Sequence, residues 1–264
     1  MLKRELKINL KSLIIWTGII VSICILVFGV YPSIINSESA NNMDEIMKMF
    51  PEDMLKAFNM DLVSLDSVLG WFQSEGYVFI VLIGSLYAAI LGGTILIKEE
   101  SDKTIEFLQS KPISNSQIVT SRVVCGVINI SIFVVVIALT TLIGFLLSND
   151  FNFMKWIYLT IAPSIIYYAF FFISMFLSTF MKKSRQSTNI SLAIVLLTYL
   201  LQMIAGMSDK LKFLKYLSPF ELFDSRLAIT DEILSIPRMI FGVTLVCILI
   251  FGIYHRYNKK ELVA

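Results

Sequence analysis

Long uncharged apolar stretches alternate with short polar stretches along the 264 residues of this chain. Five of the apolar stretches predict membrane-spanning helices, because a helix rises about 1.5 Å per residue and the bilayer core is about 30 Å thick. A sixth is long enough if Ile236 and Pro237 begin its helix and Arg238 extends toward the membrane surface. The predicted spans are at about 13–35, 77–97, 123–147, 157–181, 189–207 and 237–254. We therefore expect an all-α membrane protein with one transmembrane domain over residues 1–264.

The composition agrees with a membrane location. Hydrophobic residues make up 56% of the chain and charged residues 16%, whereas a typical soluble domain is about 25% charged. The cysteines Cys24, Cys125 and Cys247 all fall inside predicted spans, where they are expected to pack as small apolar side chains.

The distribution of Lys and Arg predicts the orientation. The N-terminal, 98–122, 182–188 and C-terminal segments together hold fourteen of these residues, and the segments on the opposite side hold seven. Because cytoplasmic segments carry the excess of positive charge, both termini are predicted to be cytoplasmic. The outer loops are then 36–76, 148–156 and 208–236. The first of them is acidic, and with a net charge of only +2 for the chain we expect no nucleic-acid partner.

Residues 1–12 have the pattern of an amphipathic helix. Leu2, Leu6 and Leu10 recur at helical spacing, with Lys and Arg on the other side. This pattern predicts a short helix lying in the membrane interface, in contact with lipid, before the first span. The first span itself is too long and lacks a small-residue cleavage site, so we expect a retained anchor and not a signal peptide.

Small residues form two neighbouring ridges on the second span. Such ridges let helices approach closely in lipid, and the neighbour could belong to this chain or to a second copy. The residues are Gly84, Ala88 and Gly92 on one ridge and Ser85, Ala89 and Gly93 on the other.

The sequence offers no catalytic or metal site. No predicted span has a charged residue or His in its interior, which disfavours an ion-coupled transporter. The pair Glu99-Glu100 is not followed by the Arg and two His of intramembrane proteases, and His255 is the only histidine. The chain also lacks a P-loop motif, so any ATP hydrolysis must occur in another polypeptide.

The polar segment 98–122 is the strongest candidate for function. Its 25 residues carry four acidic and four basic side chains between two predicted spans. A short helix from about Ser101 to Gln109 would end at Pro112, and Ser114 with Gln117 would form a capping box for the next helix. Ile105, Leu108 and Phe107 would then be apolar anchors for a cytoplasmic partner. The alternative is a solvated turn.

The order of residues in this segment resembles the signature of ABC-2 type transporter permeases. In that family an acidic start, a Thr-x-Glu-x-Leu-like core and a Pro-[Ile/Val]-Ser end form a coupling helix between the second and third spans. Here these correspond to Glu99-Glu100, residues 104–108 and Pro112-Ile113-Ser114. The N-terminal interfacial helix, the six spans and Ser218-Pro219-Phe220 in the last outer loop agree. Gln109 and Asn115 depart from the expected leucine and basic residue.

The resemblance implies the membrane subunit of an ATP-driven exporter in the bacterial cytoplasmic membrane. It implies a second permease chain, identical or homologous, and separate P-loop ATP-binding subunits that hold ATP and Mg²⁺. This chain would then be no enzyme and carry no cofactor, and the substrate is not implied. A membrane scaffold or sensor, or a secondary transporter, are the alternatives. The coupling residues implied are Glu99, Glu100, Thr104, Ile105, Phe107, Leu108 and Pro112.

Overall fold

The computed structural model describes residues 2–35, 67–104, 114–148, 151–160, 163–207, 211, 213–214, 217–222 and 236–259. Regular structure in this part of the chain is helical, without strands. The α-helices are α1 (Leu2–Ile35), α2 (Val68–Trp71), α3 (Tyr77–Ile95), α4 (Lys98–Ser101), α5 (Asn115–Leu147), α6 (Phe153–Thr160), α7 (Ser164–Ser178), α8 (Ser184–Met207) and α9 (Ile236–Lys259). A π-helix, Phe72–Gly76, joins α2 to α3, and a 3₁₀ turn covers Pro219–Leu222.

Six helical stretches are long and apolar enough to cross a membrane, which confirms the all-α prediction with six spans. They are Leu2–Ser33, Val68–Ile95, Asn115–Leu147, Phe153–Ser178, Ser184–Gly206 and Pro237–Lys259. Several begin earlier than the predicted spans, because a helix can continue through polar residues that hydropathy assigns to a loop. The fourth stretch contains two helices, α6 and α7, with Pro163 between them, since proline cannot donate the backbone hydrogen bond of a continuing helix.

The N-terminal segment differs from the prediction of a separate interfacial helix. α1 runs without a break through 34 residues, because residues 2–12 contain no glycine or proline that would end it. At about 1.5 Å per residue, a helix of this length is much longer than the bilayer core of about 30 Å. The predicted amphipathic segment is therefore the first part of α1.

α1 and α5 pack side by side in the same direction. Glu5 contacts Arg122, the Asn9 side chain lies 3.8 Å from Cys125 Sγ, and Phe28 lies against Gly144. The partners are 116 or 117 positions apart in the sequence throughout, so the two helices run parallel and in register.

α9 runs antiparallel to α5. Ser116 Oγ donates to Asn258 Oδ1 over 3.2 Å, and the Thr120 and Tyr254 hydroxyls are 2.7 Å apart. As residue numbers rise along α5, they fall along α9. The start of α1, the start of α5 and the end of α9 therefore lie together at one end of the bundle, which we call the terminal end.

The small-residue ridges of α3 lie against two other helices of the same chain. A Cβ added to Gly84 would be 2.4 Å from the Tyr167 ring of α7, and one added to Gly93 would be 2.7 Å from Ser191 Oγ of α8. Tyr167 also donates to the carbonyl of Ile80 over 3.0 Å. α3 is consequently the central helix of the described bundle.

Aromatic side chains pack together at the end of the bundle opposite the terminal end. Phe28, Phe72 and Phe145 pack together with ring centroids 5.1 to 5.2 Å apart. The described part of the predicted outer loop 208–236 includes the 3₁₀ turn, whose Phe220 packs on Phe170 and Tyr199.

Candidate functional site

The polar segment begins with a tight reversal of the chain after α3. Thr104 donates its backbone N–H to the Glu99 carbonyl over 2.9 Å, and Lys103 donates to the Glu100 carbonyl over 3.2 Å. This pair of bonds is a Schellman motif, which ends a helix through a residue in the left-handed conformation. That residue is Lys103, with φ 56°, where glycine is usual. α4 is therefore only one turn long, and the chain leaves it at Thr104.

Three charged side chains from different helices meet beneath this reversal. Arg122 of α5 forms ion pairs with Glu5 of α1 and with Glu99 of α4. The three residues are 1%, 4% and 7% exposed, respectively. We call this cluster the ion triad. It joins the base of the polar segment to the two parallel helices at the terminal end.

Burial makes the triad energetically demanding. Removing a charge from water costs several kcal/mol unless an opposite charge and hydrogen bonds compensate. Burial raises the pKa of the Glu99 carboxyl, and the guanidinium of Arg122 supplies the opposite charge. Tyr257, near the end of α9, is also buried at this end of the bundle and is 1% exposed.

α4 is also tied to the start of α8. The backbone N–H of Ser184 donates to Ser101 Oγ over 3.2 Å. One turn further on, Ser187 Oγ donates to the Gly93 carbonyl over 2.6 Å. The base of the polar segment is therefore in contact with α1, α5 and α8, and α9 lies beside it.

The far end of the segment has the predicted capping box. Ser114 Oγ accepts from the Gln117 backbone N–H over 3.3 Å, and Gln117 Oε1 accepts from the Ser114 N–H over 3.1 Å. Each side chain thereby satisfies a backbone donor at the start of α5, which otherwise lacks a partner. Residues 105–113 thus connect two positions, Thr104 and Ser114, that are both held by hydrogen bonds.

The residues implied as coupling residues have different environments. Glu99 is buried in the ion triad, where its carboxylate contacts Arg122. Glu100 is partly buried, and Thr104 is exposed. The other four implied residues, Ile105, Phe107, Leu108 and Pro112, lie outside the described residues.

Sequence reasoning missed the ion triad. Arg122 was counted only among the positive charges that predict the orientation of the chain in the membrane, and Glu5 was given no role. The buried stripe of α1 contains Glu5, Leu13 and Ile20, whereas Leu10 on the predicted apolar face is 49% exposed. Glu5 lies on the same helix face as the buried residues of α1. This position was the signal in the sequence, because a buried carboxylate requires a cation nearby.

A family model described as ABC-2 family transporter protein matches residues 1–262. No curated protein and no solved structure matches the chain.

Proposed function

Because this chain belongs to the ABC-2 transporter family and is a membrane permease, we propose that it forms the translocating subunit of an ATP-driven exporter. In this proposal two permease chains, identical or homologous, line the path. Separate P-loop subunits in the cytoplasm bind ATP and Mg²⁺ and hydrolyse the nucleotide. The membrane is the bacterial cytoplasmic membrane, and both termini face the cytoplasm.

The anchoring of segment 98–122 is the observation that supports this proposal most. Thr104 is held by the reversal after α4, and Ser114 is held by the capping box at the start of α5. Both positions are at the terminal end, where the excess of Lys and Arg predicts the cytoplasm. A short segment held at both ends transmits a push to the helices, whereas a loose linker would absorb it.

The apolar residues of the segment are the proposed contact with the ATP-binding subunit. Phe107 and Leu108 lie between charged residues, and apolar anchors with a polar rim are typical of protein interfaces. When the ATP-binding subunits close on ATP, they would move this segment and, through α4 and α5, the path between the permeases.

Co-purification tests the proposal. The tagged chain, expressed with its candidate ATP-binding subunit and extracted in mild detergent, should recover that subunit in equal amounts together with ATPase activity. The double substitution Phe107→Asp and Leu108→Asp should abolish recovery of the ATPase, because two charges cannot enter an apolar cleft without a large desolvation cost.

Matched aspartates at Phe213 and Leu217 provide the control. These apolar residues are 60% and 64% exposed in the predicted outer loop 208–236, so the double substitution there should leave recovery unchanged. Recovery of the chain alone, with the ATP-binding subunit present in the same cells, would contradict the proposal and favour a scaffold or sensor.

A further inference from the structure

We propose that the ion pair between Arg122 and Glu99 is a releasable latch, and that it opens when the ATP-binding subunit displaces segment 98–122. This inference rests on the proposed function, because the displacing force comes from that subunit. Arg122 is a positioning residue here: it holds the base of the segment against the bundle and does not contact substrate.

One side of the triad is fixed by extensive helix packing. Glu5 and Arg122 belong to α1 and α5, which lie in register over most of their lengths, from the Glu5 ion pair to the contact of Phe28 with Gly144. Separating Glu5 from Arg122 would require separating two long helices. This ion pair is therefore expected to persist in every state of the protein.

The other side is held much more weakly. Glu99 lies on α4, which has four residues, and so short a helix has no stability of its own. Besides the ion pair, the contacts of α4 include its turn hydrogen bonds and the bond between Ser101 and Ser184. A force applied at Thr104 would consequently act on the Glu99 contact first.

The charges of the triad favour two states. Two carboxylates share one buried guanidinium, so these three groups carry a formal charge of −1, which the exposed side chains of Arg4 and Lys98 offset only in part. In addition, Arg122 Nε is buried and makes no hydrogen bond with the described residues. If Glu99 moves into water, a neutral Glu5–Arg122 pair stays inside and the surplus carboxylate is hydrated. The state with Glu99 in the triad has two ion pairs, and the state with Glu99 in water leaves no unpaired charge buried. Neither state therefore has a large free-energy cost of charge burial.

A distance measurement across the latch tests the inference. Spin labels at Lys7→Cys in α1 and Asp102→Cys after α4 lie on exposed residues, in a Cys247→Ser background that removes the exposed native thiol. The permease is reconstituted with its ATP-binding subunits in lipid nanodiscs, and pulsed electron paramagnetic resonance gives the distance distribution. We expect one distance without nucleotide and a second, longer distance with a non-hydrolysable ATP analogue.

The Glu99→Gln variant should show the longer distance without nucleotide, with a population raised about tenfold or more, since the neutral amide weakens a charge-assisted contact. Lys11→Gln, which removes an exposed charge from α1, should match the wild type. The triple variant Glu5→Arg, Glu99→Arg and Arg122→Glu keeps both ion pairs with their signs reversed, and it should return the distance to that of the wild type.

Identical distributions for the wild type and Glu99→Gln, with and without nucleotide, would overturn the latch. If Glu99→Gln does not accumulate, the charge-swapped variant decides: wild-type distances support the latch, and failure to recover them overturns it. The same comparison on the permease alone is independent of the ATP-binding subunit. A failure of co-purification therefore tests the proposed function, and the effect of Glu99→Gln tests the latch.

Discussion

Gly92 in α3 lies directly against the backbone carbonyl of Phe171 in α7: a Cβ placed on Gly92 would be 2.2 Å from that oxygen. The backbone cannot rotate away as a side chain can, so the two helices could not approach this closely with any other residue. In lipid, where water does not drive helices together, such close packing is a main source of association. The contact therefore fixes α3 and α7 together at the centre of the described bundle.

Substitution of Gly92 by alanine should destabilise the protein. The added methyl group must push α7 away, and forced expansion of a packed interior costs about 1–3 kcal/mol. We expect a lower midpoint of thermal unfolding in detergent. Gly18→Ala is the matched control, because a Cβ at Gly18 meets nothing within 4 Å. Equal midpoints for the two variants would show that the α3–α7 contact does not limit stability.

The chain reversal after α4 should tolerate glycine in place of Lys103 and should be destabilised by valine there. Its φ of 56° costs an L-residue about 1–2 kcal/mol. Glycine removes that cost, whereas a β-branched side chain is a marked outlier in this conformation. Lys103→Val should therefore speed hydrogen exchange at the Thr104 amide, which bonds to Glu99. Lys103→Gly should leave exchange unchanged or slower. Equally fast exchange in both variants would mean that the reversal does not depend on the left-handed residue.

Phe220 should be required to hold the 3₁₀ turn on the bundle. Its ring, 3% exposed, packs against Phe170 and Tyr199 with centroids 5.0 and 5.7 Å away. Removing a buried ring costs about 3–5 kcal/mol in a protein core. Phe220→Ala should thus make this loop more sensitive to added protease in intact membranes. Leu217→Ala, at a residue 64% exposed, should leave cleavage as in the wild type, and equal cleavage of the two variants would argue against docking by Phe220.

The sequence predicted the spans well and the helix ends less well. Hydropathy reports where the chain enters the hydrocarbon, whereas a helix ends only where its backbone hydrogen bonds do. α5 accordingly begins at Asn115, eight residues before the span predicted to start at Val123. The capping box of Ser114 and Gln117 was predictable, because it depends on residues three positions apart.

The ion triad could not be predicted in the same way. Glu5, Glu99 and Arg122 are far apart in the sequence and meet only because α1, α4 and α5 pack together. Their side chains are polar and lie near the ends of apolar stretches, where composition assigns charges to water. The sequence signal was limited to Glu5, and the packed structure reveals that all three charges are buried together.

Docking of segment 98–122 on an ATP-binding subunit is the central claim, and photo-crosslinking from that segment tests it most directly. A photoreactive benzoylphenylalanine at Phe107 should crosslink to the ATP-binding subunit in intact cells, giving a species with the summed mass of the two chains. The same residue at Phe153, which is 57% exposed at the start of α6, should give no such species. A crosslink from Phe107 alone would establish the contact, and its absence, with both subunits present in the membrane, would contradict the proposed coupling.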